Sequence, residues 1–239
     1  MKASSFILKV AILLFAFGVK GYASDSLKVD LSLGADVVNH YVWRGLMLSN
    51  SPSVQPSMSL SYNGFSLGTW ASYSINPADF QEVDLFLTYT TGNFTVGVND
   101  YYNPTDSLWK KDKYFNLRSK STLHTLEPFI SFSEIGGTHF SFGANVFAYG
   151  NDKGEDGKNL FSSYFELSYS ATVKDYEVVV FGGGTPRKGY YAGKAAVTNV
   201  GVTLSRDIEV TDKFSIPCKG SFIVNPDTQN VFLVLSVSF

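Results

Sequence analysis

The chain has 239 residues, 44% hydrophobic, 15% aromatic and 17% charged, with 21 glycines, three histidines and one cysteine. A formal net charge of −2 leaves no basic face for nucleic acid. The single cysteine permits no internal disulfide and no multi-thiolate metal centre.

Residues 1–23 read as a secretory leader. Lys2 and Lys9 flank the apolar run Val10 to Val19, and Gly21-Tyr22-Ala23 puts small residues where a signal peptidase cuts. Residues 24–239 then form the mature domain, in which 16 basic residues face 21 acidic ones, a net of −5. No later stretch reaches the ~20 apolar residues of a membrane helix. An exported, aromatic, glycine-rich chain of this kind is either a soluble β-protein or an outer-membrane barrel.

The first mature segment, Leu27 to Arg44, alternates throughout. Leu27, Val29, Leu31, Leu33, Ala35 and Val37 form one face, continued by Tyr41 and Trp43 where a bilayer has its aromatic girdle. The other face carries Asp36, His40 and Arg44, spaced four apart. Val54 to Tyr62 and Phe65 to Ser74 flank Asn63-Gly64, a strong hairpin signal. Phe80 to Thr90 and Phe94 to Tyr102 follow, then a long charged connection over 103–122. Leu123 to Glu134 pairs with Thr138 to Tyr149, Leu160 to Val173 with Tyr176 to Gly184, and Ala195 to Arg206 with Phe214 to Val224 around a turn at 207–212. The final run, Asn230 to Phe239, alternates to its last residue.

The pattern predicts an all-β, transmembrane, antiparallel up-and-down barrel of about twelve strands, each near the ~9–11 residues that cross a bilayer. Short turns (63–64, 91–93, 135–137, 174–175, 207–212) alternate with longer polar loops (45–53, 75–79, 103–122, 150–159, 185–194, 225–229), the asymmetry expected between periplasmic and outer faces. A soluble sandwich is the rival. It has to explain the leader, the aromatic residues at strand ends, and an apolar closing strand with no partner to cover its edge.

The pieces Tyr41-Val42-Trp43-Arg44-Gly45, Pro52 to Pro56, Tyr62-Asn63-Gly64-Phe65 and Gly68-Thr69-Trp70 resemble the opening hairpins of the TorF-like and related uncharacterised porins of Gram-negative bacteria. The resemblance covers about a sixth of the chain. It implies an outer-membrane barrel and a channel, and brings no catalytic residues or substrate. In such proteins the barrel-assembly machinery reads a terminal aromatic residue, which points to Phe239 as the assembly signal.

In a barrel the polar faces line the lumen. The lumen candidates are Asp36, His40, Arg44, Glu82, Asp84, Asn99, Glu127, Glu166 and Lys219, an acidic wall suited to a diffusion channel with mild cation preference. The expected partners are outer-membrane lipid and lipopolysaccharide, the assembly machinery during insertion, and small solutes. No cofactor, metal site or enzymatic activity is expected. A structural or adhesive barrel is the alternative, and a lipid-modifying enzyme built on His40 or His124 at the outer rim comes third, because His139 falls at the opposite, periplasmic end and no G-x-S-x-G motif occurs. The 103–122 connection, with Trp109, Lys110, Lys111, Lys113, Arg118 and Lys120, suits anionic lipopolysaccharide, a glycan, or an inward-folded constriction.

Overall fold

A computed structural model of the protein describes residues 29–104, 113–212 and 214–239. The leader assignment and Leu27 lie outside these residues. Period-two alternation becomes twelve wall strands: β1 (Asp30–Val38), β2 (Ser53–Tyr62), β3 (Phe65–Ser74), β4 (Gln81–Thr91), β5 (Phe94–Tyr102), β6 (His124–Phe132), β7 (Phe140–Val146), β8 (Ser163–Val173), β9 (Tyr176–Thr185), β10 (Ala196–Thr211), β11 (Phe214–Asn225) and β12 (Asn230–Ser238). Each pairs antiparallel with its neighbour in sequence, and β12 returns to β1, so the sheet closes on itself. Closure satisfies the backbone of the wall without help from solvent, which is what a β-structure needs inside hydrocarbon.

The outward face is apolar. Leu33 on β1, Leu67 on β3, Leu204 on β10 and Leu233 on β12 are all about half exposed or more, at 68%, 53%, 47% and 58%. A soluble fold would bury these side chains; here they form a continuous outer band. Around the short-turn rim, aromatic rings pair from strand to strand: Phe65 with Tyr89, Phe94 with Phe132, and Phe140 with Tyr169, at centroid separations of 4.7, 4.9 and 5.0 Å. They make a girdle at one end of the barrel.

Inward, glycine faces aromatic across the strands. Gly68 stands opposite Phe86, Gly97 opposite Phe129, and Gly201 opposite Phe181. A Cβ built on any of the three would meet the partner ring at 2.3 to 2.7 Å. Glycine therefore leaves the room on the wall that each ring occupies.

Three sequence expectations are corrected. The first strand was expected to run to Arg44, yet β1 ends at Val38. Asn39 ends it by turning its side-chain amide onto β12, giving Nδ2–H to Leu233 O (3.0 Å) and taking the Leu235 N–H on Oδ1 (2.8 Å). The chain then leaves the wall. The turn expected at 207–212 is mostly strand, since β10 runs on to Thr211 with a register shift near its end. Phe239, expected at the periplasmic rim, exchanges backbone hydrogen bonds with Ala35 (2.9 and 3.1 Å), part-way along β1. The staggered pairing of a tilted sheet lets β1 continue past it to Asp30.

Candidate functional site

Between β1 and β2 the chain forms a small hairpin, Tyr41–Trp43 paired with Leu46–Ser49, separate from the wall sheet. Arg44 and Gly45 form its two-residue tip, both with positive φ (51° and 78°), the requirement of a type I′ turn. The hairpin starts at the long-loop end and folds into the lumen to reach β10, three strands round the wall from β1.

The landing point is a bulge in β10. The pairing of β9 with β10 jumps between Gly183↔Asn199 and Gly184↔Val197, leaving Thr198 as the extra residue. Thr198 Oγ1 donates to Arg44 O (3.3 Å), and Asn225 Nδ2 on β11 donates to Gly45 O (3.0 Å). Contact is so close that a Cβ at Gly45 would stand 1.8 Å from Thr198 O. Only glycine fits.

The Arg44 side chain locks the tip. Its guanidinium grips the fully buried Glu127 of β6 in a fork, Nη1 to Oε1 at 2.5 Å and Nη2 to Oε2 at 3.0 Å. Glu127 also takes hydroxyl hydrogens from Tyr101 (2.6 Å) and Tyr191 (3.3 Å), while Tyr191 accepts from Arg44. Asn99 Nδ2 donates to the Tyr101 hydroxyl oxygen (3.1 Å). Guanidinium faces lie over Trp43 (4.3 Å) and Tyr164 (4.7 Å). In the loop after β9, burial holds the Tyr191 hydroxyl above its ordinary range, against the pull of Arg44. It stays an O–H donor.

Rings fill the space around the hairpin. Trp43 stacks on Phe147 (6.3 Å, 8° between planes) and meets Tyr101, Tyr190 and Tyr191 at 5.6, 6.1 and 5.7 Å. Tyr41 is buried against Trp70 and gives its hydroxyl to Glu82 Oε2 (2.7 Å), whose other oxygen takes Asn103 Nδ2 (3.0 Å). At the stem, the Ser49 hydroxyl donates to Asp79 Oδ2 (2.8 Å). Partial desolvation works to raise Asp79, but the Phe80 N–H and the serine hydroxyls prevail and hold it below the usual carboxylate value. The stem anchor is therefore charged at neutral pH and weakens only as acid reaches that lowered value.

Trp43 separates two cavities. The one toward the long loops is about 50 Å³; the one beneath the hairpin is about 520 Å³ and runs down to Ser133 and Ser141 beside a short turn.

The structure brings together Arg44, Glu127 and Asn99, with Glu82 beside the hairpin through Tyr41. Glu166 holds the Tyr164 hydroxyl (2.6 Å) and Asn199 Nδ2 (3.0 Å) under the tip. Asp84 is buried next to Glu82 on the same inward row, and its Oδ1 has no partner among the described residues. Asp36 and Lys219 sit on inward rows away from the hairpin. His40 lies in the hairpin stem with Nδ1 on Asn50 O (3.0 Å). The expected Asp36–His40–Arg44 face does not exist, because the chain turns at Asn39 and the three belong to different elements.

Sequence reasoning placed Tyr41 and Trp43 on the lipid face; both are inside. It missed Gly45, Thr198, Asn225, Tyr101 and Tyr191. Arg44-Gly45 was the available signal, a positive-φ pair of the kind that makes tight hairpins. The described part of the long connection, 113–122, folds outward: Tyr114 O takes His124 Nε2 (2.6 Å) and Leu117 O takes the Tyr149 hydroxyl (2.6 Å). His124 Nδ1 lies 2.9 Å from both Asp100 oxygens, so its ring nitrogens meet a carboxylate and a carbonyl. Trp109, Lys110 and Lys111 lie outside the described residues.

Residues 23–183 match the model of a family described as a bacterial protein of unknown function, Gcw_chp. The fold is similar to the crystal structure of the COG4313 outer membrane channel from Pseudomonas putida F1, at 12% identity and a TM-score of 0.43, covering 92% of this chain and 98% of that one. No curated protein matches the chain.

Proposed function

We propose, for a chain that belongs to the Gcw_chp family of bacterial proteins of unknown function, that it is an outer-membrane channel for small solutes whose lumen is gated by its own hairpin. The observation that carries this reading is the Tyr41–Ser49 hairpin, which reaches into the lumen and is held there by a buried ion pair set within a cluster of rings. A structural filler has no need of a charged lock; apolar packing does that at least as well. A latch of paired charges can open, because each partner is rehydrated when the tip withdraws.

The apolar outer band and the aromatic girdle support a place in the outer membrane, short turns toward the periplasm, with residues 1–23 as the cleaved leader. The resemblance to TorF-like porins supports the same reading. Inward Glu82, Asp84 and Glu166 against Lys219 favour cations over anions once the gate is open.

Single-channel recording tests the gate. Wild type is expected to stay closed with brief openings, and replacing 40–50 by a short Gly-Ser linker to conduct steadily. A hairpin-less barrel that is folded yet silent would overturn the channel reading and favour the alternative, a surface barrel that conducts nothing.

Phe239 is proposed as the assembly signal, and its two backbone bonds to Ala35 add a second contribution to closure. Its deletion is expected to cut the yield of folded, heat-modifiable barrel several-fold, whereas Lys219→Ala leaves it unchanged. Equal yields from the two variants would count against the assignment.

A further inference from the structure

We propose that residues 113–122 form a pH-released strap on the outside of the barrel, held down while His124 is an imidazolium between the Asp100 carboxylate and the Tyr114 carbonyl. The device lies on the opposite face of the wall from the hairpin, and it does not depend on the channel reading.

Register puts the pair on the outward face. On β5, Asp100 and Tyr102 share the row of the exposed Val96, and on β6, His124 shares that of Leu126 and the exposed Ile130. An ion pair on the outer wall would ordinarily be wet, yet His124 is only 2% exposed. The 113–122 segment covers it. Tyr114 lays its ring against those of His124 and Tyr102, at centroid separations of 4.9 and 5.0 Å. Tyr149, paired with Leu126 and so on the same face, gives its hydroxyl to Leu117 O (2.6 Å), and Lys153 Nζ donates to Ser119 Oγ (2.9 Å). The segment is also folded on itself, with Asn116 Nδ2 on Ser121 O (2.7 Å) and the Thr122 N–H on Arg118 O (2.8 Å). Of the three groups that fasten it to the barrel, His124, Tyr149 and Lys153, only the imidazole titrates near neutral pH.

His124 is fastened through both nitrogens. Nδ1 lies 2.9 Å from each Asp100 oxygen, and Nε2 lies 2.6 Å from Tyr114 O. A carbonyl only accepts, and so does a carboxylate, so each nitrogen carries a hydrogen and the ring is charged. Turning the ring over would set carbon against both acceptors. A neutral ring, in either tautomer, leaves a nitrogen lone pair facing one of them. The carboxylate holds its hydrogen the more strongly. Loss of a proton therefore empties Nε2, whose lone pair then faces Tyr114 O where only a hydrogen bond is tolerated. The strap is thus anchored at low pH and freed as pH rises through the titration of the ring. The titratable groups around the ring are Asp100 and Tyr102 from β5, Tyr114 from the strap and Tyr149 from the segment after β7. The tyrosines keep their protons to about pH 10, which leaves Asp100 as the charge in contact with His124.

Hydrogen exchange of the folded full-length barrel in detergent tests the strap, read by mass spectrometry from about pH 5 to about pH 9 and corrected for the intrinsic rise of exchange with pH. Peptides covering 113–122 are expected to lose protection about tenfold in a single step, the worth of one hydrogen bond to a charged group. Wall peptides should stay unchanged. Asp100→Asn should move the step down by about one to three pH units, because the charge that favours the imidazolium is gone; a purely structural contact would show no such displacement. His124→Phe keeps a ring between Tyr102 and Tyr114 and should leave the strap unprotected at every pH. Where that variant fails to fold, Asp100→Asn decides alone. The proposal is overturned if protection is flat across the range, if the step stays in place in Asp100→Asn, or if it survives in His124→Phe.

Discussion

Glu127→Gln is expected to convert a mostly closed channel into a mostly open one. Glu127 is fully buried and receives both arms of Arg44 together with the hydroxyls of Tyr101 and Tyr191. Neutralising it leaves the guanidinium of the hairpin tip buried without its counter-charge, which costs about 3–5 kcal/mol. The open state escapes that cost, since a withdrawn Arg44 is hydrated. At about 1.4 kcal/mol per factor of ten, the closed-to-open ratio falls by roughly 10² to 4 × 10³. Open probability in planar bilayers reads this directly. An open fraction within threefold of wild type would show that the ion pair does not hold the gate. Arg44→Lys should fall between the two, because an ammonium keeps the charge but cannot make the fork.

Gly45→Val should open the channel as fully by a different route. The valine Cβ would be placed 1.8 Å from Thr198 O, 2.8 Å from Thr198 C and 3.2 Å from Asn199 Cα, all backbone atoms of the wall. A β-branched residue also resists the φ of +78° that the tip requires. Nothing flexible can move aside, so the tip cannot seat. Where Glu127→Gln removes an attraction, this change adds a repulsion at the same docking surface. The two effects are therefore not additive: the double variant should be no more open than the stronger single one. A double variant exceeding the stronger single one by a further tenfold would mean that the tip and the ion pair hold separate gates.

The wall was readable in the sequence because each strand's alternation is a local property. Asn63-Gly64 and Lys174-Asp175 marked short turns where the structure has them, and both faces of β12 came out as expected. The plug was not readable, and the reason is physical. Tyr41 and Trp43 keep the apolar rhythm of β1, and an aromatic side chain suits a lipid girdle as well as an aromatic cluster. What decides between them is the set of rings waiting inside, Phe147, Tyr190 and Tyr191, contributed by loops more than 100 residues downstream. Likewise Arg44 found its partner in Glu127, 83 positions away, and its dock at a bulge that no alternation predicts. Lumen candidates chosen by parity were placed on plausible rows. Parity alone cannot say which of them meet.

Asn39 joins two events that have otherwise nothing in common. β1 and β12 share only the rungs from Asp36↔Ser238 to Val38↔Ser236, extended by Phe239 at one end and by the Asn39 amide at the other. The root of the hairpin is thus fastened to the last strand of the wall. Its tip waits for Asn225 and Thr198, and its lock for Glu127 and Tyr191. Since contacts so distant in sequence form late, the hairpin is made early and seated late: the gate is hung only after the wall has been zipped. A fault in the closing strand should then betray itself as leakage before it shows as loss of the barrel.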